Sequence, residues 1–451
     1  MLRRTWVLPA VLYMVIFAVY GLTVSRHYFN IDAHAATVES WRIASAGNPW
    51  LENVMDRGMQ QNPFISQAAN GHIVGQRMAG PVLAGIPFYL LLDRDAARGG
   101  FELFPGGMAA SAWTAAAVVL LFLSLRRQLG DRISLAAAVV FALATPTWSV
   151  SANMLWTHTV TQFGLAGAAY AASRQRAWLA GAFLAVAMLG RPHVAIVAAV
   201  LGIGMAISRR AWRPLVEVAA PTVSALGVLL VWNHWMFGDW SIGGAYHGRA
   251  EAAINGFHGG REWDGPYAQL VNYLGFLFSF DRGLFVWTPL LLLLVPSVVR
   301  SWRSVPSWSK WLAVGGVAYS FVQLRVNYFP GGDGFYGYRH GLELLTCLAP
   351  LFAFSVARAG RVAWLLAPIV SALQIGAIGL GAVTEGFFID IDDVWTDNSL
   401  WLAIREAPST ALTWMLLWLM VGLVGSVLLR TAGTASGVVP AQVGRSGPQR
   451  P

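Results

Sequence analysis

Four stretches of this 451-residue chain hold residues able to do chemistry together. Phe29-Asn30-Ile31-Asp32-Ala33-His34 carries a carboxylate directly after the first long apolar run. Leu189-Gly190-Arg191-Pro192-His193 and Phe278-Ser279-Phe280-Asp281-Arg282-Gly283-Leu284 each set an arginine in a short turn. The glycine-rich stretch from Asn327 to His340 does the same, with Gly331-Gly332-Asp333-Gly334 and Tyr338-Arg339-His340. Arginine offers a planar fork of donors that matches phosphate, and glycine lets backbone approach a ligand closely. Taken singly, each arginine equally fits a lipid-headgroup contact or a local salt bridge. Asp32 equally fits the N-cap of a helix running Ala35 to Ala46, with polar positions at Glu39 and Arg42 and a stop at Gly47-Asn48-Pro49. Three arginines beside glycine-rich turns, with a carboxylate on the same side, favour one shared anion site. The histidines (His27, His34, His72, His158, His193, His234, His247, His258 and His340) show no pair at helical metal-ligand spacing with an acidic partner, so no zinc site is expected. No Ser-His-Asp order, P-loop or dinucleotide fingerprint stands in a credible context.

The elements that must position these residues are membrane helices. The chain is 56% hydrophobic and 12% charged, with a mean hydropathy of +0.54. Runs of about 18 apolar residues or more are spans by length. Basic residues fall where those runs end: Arg3-Arg4, Arg126-Arg127 with Arg132, Arg174 and Arg176, Arg209-Arg210 with Arg213, Arg300 and Arg303 with Lys310, Arg358 and Arg361, and Arg430. The net charge of +9 therefore reflects retention of arginine on the cytoplasmic side, and no nucleic-acid partner is expected. Cys347, the single cysteine, permits no internal disulfide and reads as buried helix filler.

The run Trp6 to Val24 is long for a signal peptide, and charged Arg26 separates it from Ala33-His34-Ala35, so an uncleaved first span is expected. Further spans are expected at about 106–125, 133–150, 157–173, 176–190, 193–208, 215–236, 284–299, 310–327, 342–357, 362–383 and 410–430. This is an all-α polytopic membrane protein of about twelve transmembrane helices, one domain over 1–430 with both termini cytoplasmic. The larger loops, 25–105, 237–283, 328–341 and 384–409, all fall outside. Met78 to Leu92 is short for a span and reads as an amphipathic helix held on the outer surface. Residues 431–451, rich in Gly, Ser and Pro, read as a disordered cytoplasmic tail. Trp156, Trp240, Tyr246, Trp263, Tyr267, Tyr328, Tyr336 and Tyr338 lie in or near outer loops, mostly as bilayer anchors, and some can stack on sugar rings.

In layout the chain resembles the GT-C superfamily of polytopic membrane glycosyltransferases, over about residues 5–360. An acid, Asp32, follows the first span. Gly80-Pro81-Val82-Leu83-Ala84-Gly85-Ile86-Pro87-Phe88-Tyr89-Leu90-Leu91 is similar to the surface helix of such proteins. Gly190-Arg191-Pro192 matches their "RP" turn. Leu277 to Leu284 with Thr288-Pro289, and Gly331-Gly332 through Tyr338-Arg339, look like two further stretches of bacterial members. Two positions depart from the pattern: Ala33 stands where a second acid is frequent, and Phe280 replaces a proline.

The resemblance implies inverting transfer of a sugar from a polyprenyl-phosphate donor to an acceptor hydroxyl on the extracytoplasmic face of the cell membrane. It implies Asp32 as the base, with Glu39 second, and Arg191, Arg282 and Arg339 as phosphate ligands, helped by His340 and His193. The expected partners are that donor, a glycan, lipid or protein acceptor, and membrane lipids. No cofactor is expected. Asp390, Asp392 and Asp393 offer carboxylates for a divalent metal ion but read as a solvated loop. Two other functions fit the same layout: a transporter or flippase of lipid-linked sugars, and a non-catalytic glycolipid-binding relative. The first lacks the inverted repeat and paired broken helices of transporters.

Overall fold

A computed structural model describes residues 2–26, 30–93, 100–245, 265–356, 358–384 and 386–434. His27, Phe29, Tyr246, His247, His258, Trp263 and the tail beyond Thr434 lie outside the described residues. Helices dominate, numbered here in chain order among the described residues. They are α1 Leu2–Leu22, α2 Ile31–Ala46, α3 Arg57–Gln61, α4 Ala79–Leu92, α5 Phe104–Leu143, α6 Thr157–Ser173, α7 Ala177–Gly190, α8 Ala195–Arg209 and α9 Arg213–Phe237. After the undescribed stretch come α10 Pro266–Phe278, α11 Leu284–Trp287, α12 Pro289–Ser301, α13 Ser307–Val326, α14 Leu342–Val356, α15 Arg361–Val383, α16 Ser399–Glu406 and α17 Pro408–Thr434. Four segments are long and apolar enough to cross a bilayer by themselves: Phe104–Leu143, Pro192–Arg209, Arg213–Phe237 and Arg361–Val383. Shorter apolar helices, among them Trp6–Leu22, Ala177–Gly190 and Leu342–Val356, complete the bundle.

Breaks in the helices follow backbone chemistry. The spans expected at about 106–125 and 133–150 join in one run of helix, Phe104–Leu143, interrupted at Gly130, whose φ of 71° is not helical, and a separate π-helical turn, Thr147–Ser151, follows it. The span expected at about 284–299 is two pieces. Pro289 lacks an N–H and disfavours helical backbone before it, and Thr288 sits at φ −128°, ψ 60° between α11 and α12. Two helices, α10 and α16, occupy stretches read from sequence as plain outer loop.

The first loop is more ordered than its sequence suggests. Helix α2 starts at Ile31, a turn earlier than expected, because Asn30 and not Asp32 is its N-cap: the Asn30 side chain accepts from Asp32 N at 2.8 Å. Asp32 therefore lies inside the first turn with its carboxylate free to face another element. Gly47 ends α2 with φ 70°. A two-stranded hairpin, β1 Ile65–Gln67 and β2 Ile73–Gly75, follows in antiparallel register, Ser66 opposite Val74. The hairpin was not legible in the sequence, and it delivers Arg77 to the start of α4.

Two close approaches seat this loop on the bundle. A Cβ on Gly80 would lie 2.7 Å from the backbone nitrogen of Gly190, so α4 touches the end of α7 backbone to backbone. A Cβ on Gly107 would overlap Val24, so the end of α1 lies against the start of α5. From Gly107 to Arg127 the helix rises about 30 Å, roughly one bilayer core. The loop bearing Asp32 and the Arg126-Arg127 pair thus lie at opposite ends of the bundle.

Candidate active site

A cavity of about 560 Å³ opens where the starts of α2 and α4, the turn after α7 and the glycine-rich loop before α14 converge. Asp32, Arg191, Arg339, His193 and His340 all line it, together with Arg77, Asn30, Trp156 and Asp333. One carboxylate sits between two guanidiniums. Arg339 Nη1 donates to Asp32 Oδ2 at 2.5 Å, and Arg77 Nη2 donates to Asp32 Oδ1. Each arginine is also packed on rings, Arg77 over Phe64 at 3.5 Å and Arg339 over Trp156 at 5.2 Å. Two positive charges meet one negative charge, so this cluster keeps one charge of attraction for a further anion.

The loop that delivers Arg339 depends on its glycines. Gly331, Gly332, Gly334 and Gly337 all adopt left-handed φ, from 75° to 93°. A Cβ on Gly331 would lie 2.8 Å from Arg339 Nε, so only glycine lets the loop fold back on its own arginine. The Asn30 side chain donates to the Asp333 carbonyl at 2.5 Å and ties this loop to the start of α2.

Two of the sequence candidates stand elsewhere. Arg282 is buried with 1% exposure away from the cavity. Its Nη1 donates to the carbonyls of Phe335 at 2.7 Å and Gly337 at 3.0 Å, its Nη2 donates to Ile389 at 3.3 Å, and Asp281 lies 3.3 Å away. It clamps the glycine-rich loop from behind. Glu39 faces inward from α2 and accepts from Gly75 N, fixing the hairpin to the helix. Burial pushes its carboxyl well above the usual range. Replacing Glu39 with Gln, which keeps its shape, should leave activity within about twofold of wild type, because a group outside the cavity reaches no reacting atom. A loss as deep as that of an Asp32 variant would return Glu39 to the reaction.

Sequence reading also missed residues. Arg77 precedes Met78-Ala79-Gly80-Pro81 in no recognised pattern, and only the hairpin aims it at Asp32. His158, Gln323 and Glu343 lie behind Arg191 and were invisible because they come from spans far apart in sequence. Among the aromatic residues, Trp156 and Tyr328 line the cavity, whereas Trp240 and Tyr267 are exposed.

Electrostatics in the cavity are set by burial and by the arginines. Burial alone would raise the Asp32 carboxyl, but Arg77, Arg339 and Arg191 outweigh it and hold it down at about 2. Burial brings His34, at the base of the loop, down to about 4. His340 is held well below 6.5 by burial and then by Arg339. These imidazoles are neutral when folded and protonate when unfolded, so the unfolded chain binds more protons as pH falls. Their stabilisation is complete above the ordinary value of 6.5 and, for His34, is lost as pH falls towards about 4. The depressed Asp32 has the same sign, and its contribution is lost between 3.8 and about 2. The raised Glu39 carboxyl has the opposite sign, so the imidazole contribution is read by comparison: between pH 6.5 and about 4 the thermal midpoint should fall less in His34→Gln than in wild type. An equal fall in the two proteins would contradict this.

No protein-family model matches the chain, and no curated protein matches it in sequence. Solved structures do match. The structure of ArnT from Cupriavidus metallidurans bound to undecaprenyl phosphate superposes with a TM-score of 0.50 at 17% identity, over 94% of this chain and 78% of that one. The chain resembles GT-C membrane proteins in its fold. The oligosaccharyltransferase of Archaeoglobus fulgidus, tethered to an acceptor peptide, gives a TM-score of 0.48 at 12% identity over 91% of this chain and 55% of that one.

Proposed function

We propose that this protein is a membrane glycosyltransferase that moves a sugar from a polyprenyl-phosphate donor to an acceptor hydroxyl, with inversion, on the extracytoplasmic face of the cell membrane. Arg126-Arg127 and both termini then lie in the cytoplasm, in line with the placement of basic residues. The observation that carries the reading is the single cavity in which Asp32 is held between Arg77 and Arg339, with Arg191 in the same wall. A lipid-linked donor suits the site: its tail stays in the bilayer while the phosphosugar enters between the helices. The undecaprenyl phosphate bound by the ArnT protein of the same fold supports that choice of donor.

The step follows from the residues present. The donor phosphate draws on the guanidiniums of Arg77 and Arg339, which also bond Asp32. As those contacts are shared, the carboxylate loses part of what holds its proton affinity down and becomes a better base. It takes the proton of the acceptor hydroxyl as that oxygen attacks the anomeric carbon from the face opposite the phosphate. The carbon–oxygen bond to phosphate breaks, its electron pair leaves with polyprenyl phosphate, and the arginines stabilise the added negative charge.

The test is direct. Purified protein is supplied with radiolabelled polyprenyl-phosphate mannose or arabinofuranose and membrane acceptors. Label should pass from the lipid to an acceptor, and the Asp32→Asn protein should not pass it. Donor that crosses vesicles unchanged would favour the flippase reading, and donor bound without transfer would favour a glycolipid-binding relative.

A further inference from the structure

Behind Arg191, away from the cavity, lies a buried polar assembly that the transfer step does not use. His158 near the start of α6 and Glu343 near the start of α14 both have 0% side-chain exposure. His158 Nδ1 lies 2.7 Å from Glu343 Oε1, and His158 Nε2 lies 2.8 Å from Arg191 Nη2. A guanidinium has donors and no acceptor, so Nε2 must accept. The ring proton is then on Nδ1, where it donates to Glu343. Arg191 Nε approaches the same glutamate oxygen at 3.4 Å. Arg191 Nη1 donates to Gln323 Oε1 at 2.8 Å and approaches the Tyr319 hydroxyl at 3.4 Å. His193 donates to the same Gln323 oxygen and stacks on Tyr319.

We propose that Glu343 and His158 are positioning residues that hold Arg191 as a fixed cation in the cavity wall; the proposal rests on reading the cavity as a lipid-phosphate site. The chemistry of each residue suits this. Glu343 supplies the counter-charge that lets Arg191 sit partly buried. His158 links the two without adding charge, and its ring sets the angle of the guanidinium. Arg191 thereby differs from Arg77 and Arg339, whose donors are engaged by Asp32 and can be handed to a phosphate. Arg191 stays in place whether or not a ligand is present. A charge already fixed in the cavity wall needs no reorganisation as the leaving phosphate gains charge.

Two measurements test the pair. Nitrogen-15 spectra of histidine-labelled protein report the tautomer of His158, assigned by its loss in His158→Gln. The wild type should show a neutral ring protonated on Nδ1. A wild-type ring protonated on Nε2 overturns the proposal. The second measurement is affinity for undecaprenyl phosphate in nanodiscs of zwitterionic lipid. His158→Ala should weaken binding about tenfold, the scale of coupling between residues in one network. His158→Gln, whose amide oxygen can accept from Arg191, should recover most of it. In an Arg191→Met background, His158→Ala should cost nothing more. An equal loss in both backgrounds shows that His158 only packs, and overturns the proposal. A wild type that does not bind the lipid phosphate sinks the transferase reading instead, and the tautomer measurement still decides the positioning pair.

Discussion

Asp32→Asn should lower sugar transfer by about 10²- to 10⁴-fold, the usual contribution of a positioned general base. The substitution keeps shape and one acceptor oxygen but removes the charge and the proton affinity. Donor affinity should hold or rise, because Arg77 and Arg339 lose the carboxylate that competes with phosphate for their donors. The two effects separate Asp32 as base from Asp32 as tether. A tether would lose donor binding and stability together, as the two arginines drifted from their places over Phe64 and Trp156. Steady-state transfer and equilibrium binding of undecaprenyl phosphate, measured on the same preparation, decide between them. Transfer at half the wild-type rate or better would remove Asp32 from the proton transfer.

Arg282→Met should act on the fold, and strongly. Removing one member of a buried charged pair is worth about 3–5 kcal/mol, which lowers the thermal midpoint by roughly 5–15 °C. Methionine fills the space but leaves the carbonyls of Phe335, Gly337 and Ile389 without their donor and Asp281 without its neighbouring charge. The glycine-rich loop, already in left-handed backbone at four positions, then loses its clamp. Arg339→Lys offers the contrast. It keeps a charge at the cavity and should cost transfer far more than stability, because lysine has no fork to share between carboxylate and phosphate. An Arg282→Met protein that melted like wild type but transferred nothing would mean that Arg282 reaches the substrate.

The difference between Arg282 and Arg339 shows where reading the chain stops. Both stand beside glycine in turns of similar composition, and both follow a GT-C-like pattern. One enters the cavity and the other is swallowed by the backbone of the first one's loop. Local sequence carries no information on which side of a turn the rest of the chain will pack. Arg77 illustrates the reverse. It belongs to no motif, yet a small hairpin and the Gly80–Gly190 contact bring it to Asp32. Asn30 took the cap that Asp32 could have filled, and that placement left the carboxylate to the site.

What the amino-acid sequence determined by itself was the solvent and the general plan. Apolar runs bounded by arginine demand a membrane, since backbone polar groups there must satisfy one another within helices. The same runs separate a basic end from an end rich in glycine turns and carboxylates, and Asp32, Arg191 and Arg339 were all read on that second end. The meeting of those three in one cavity was decided by tertiary structure alone. So were the place of Arg77 in the lining, the position of Glu39 and Arg282 outside it, and the buried Glu343–His158 contact behind Arg191. The physical reason is range: hydropathy and turn chemistry act over a few residues, whereas the partners of each charged group here come from helices tens to hundreds of residues apart.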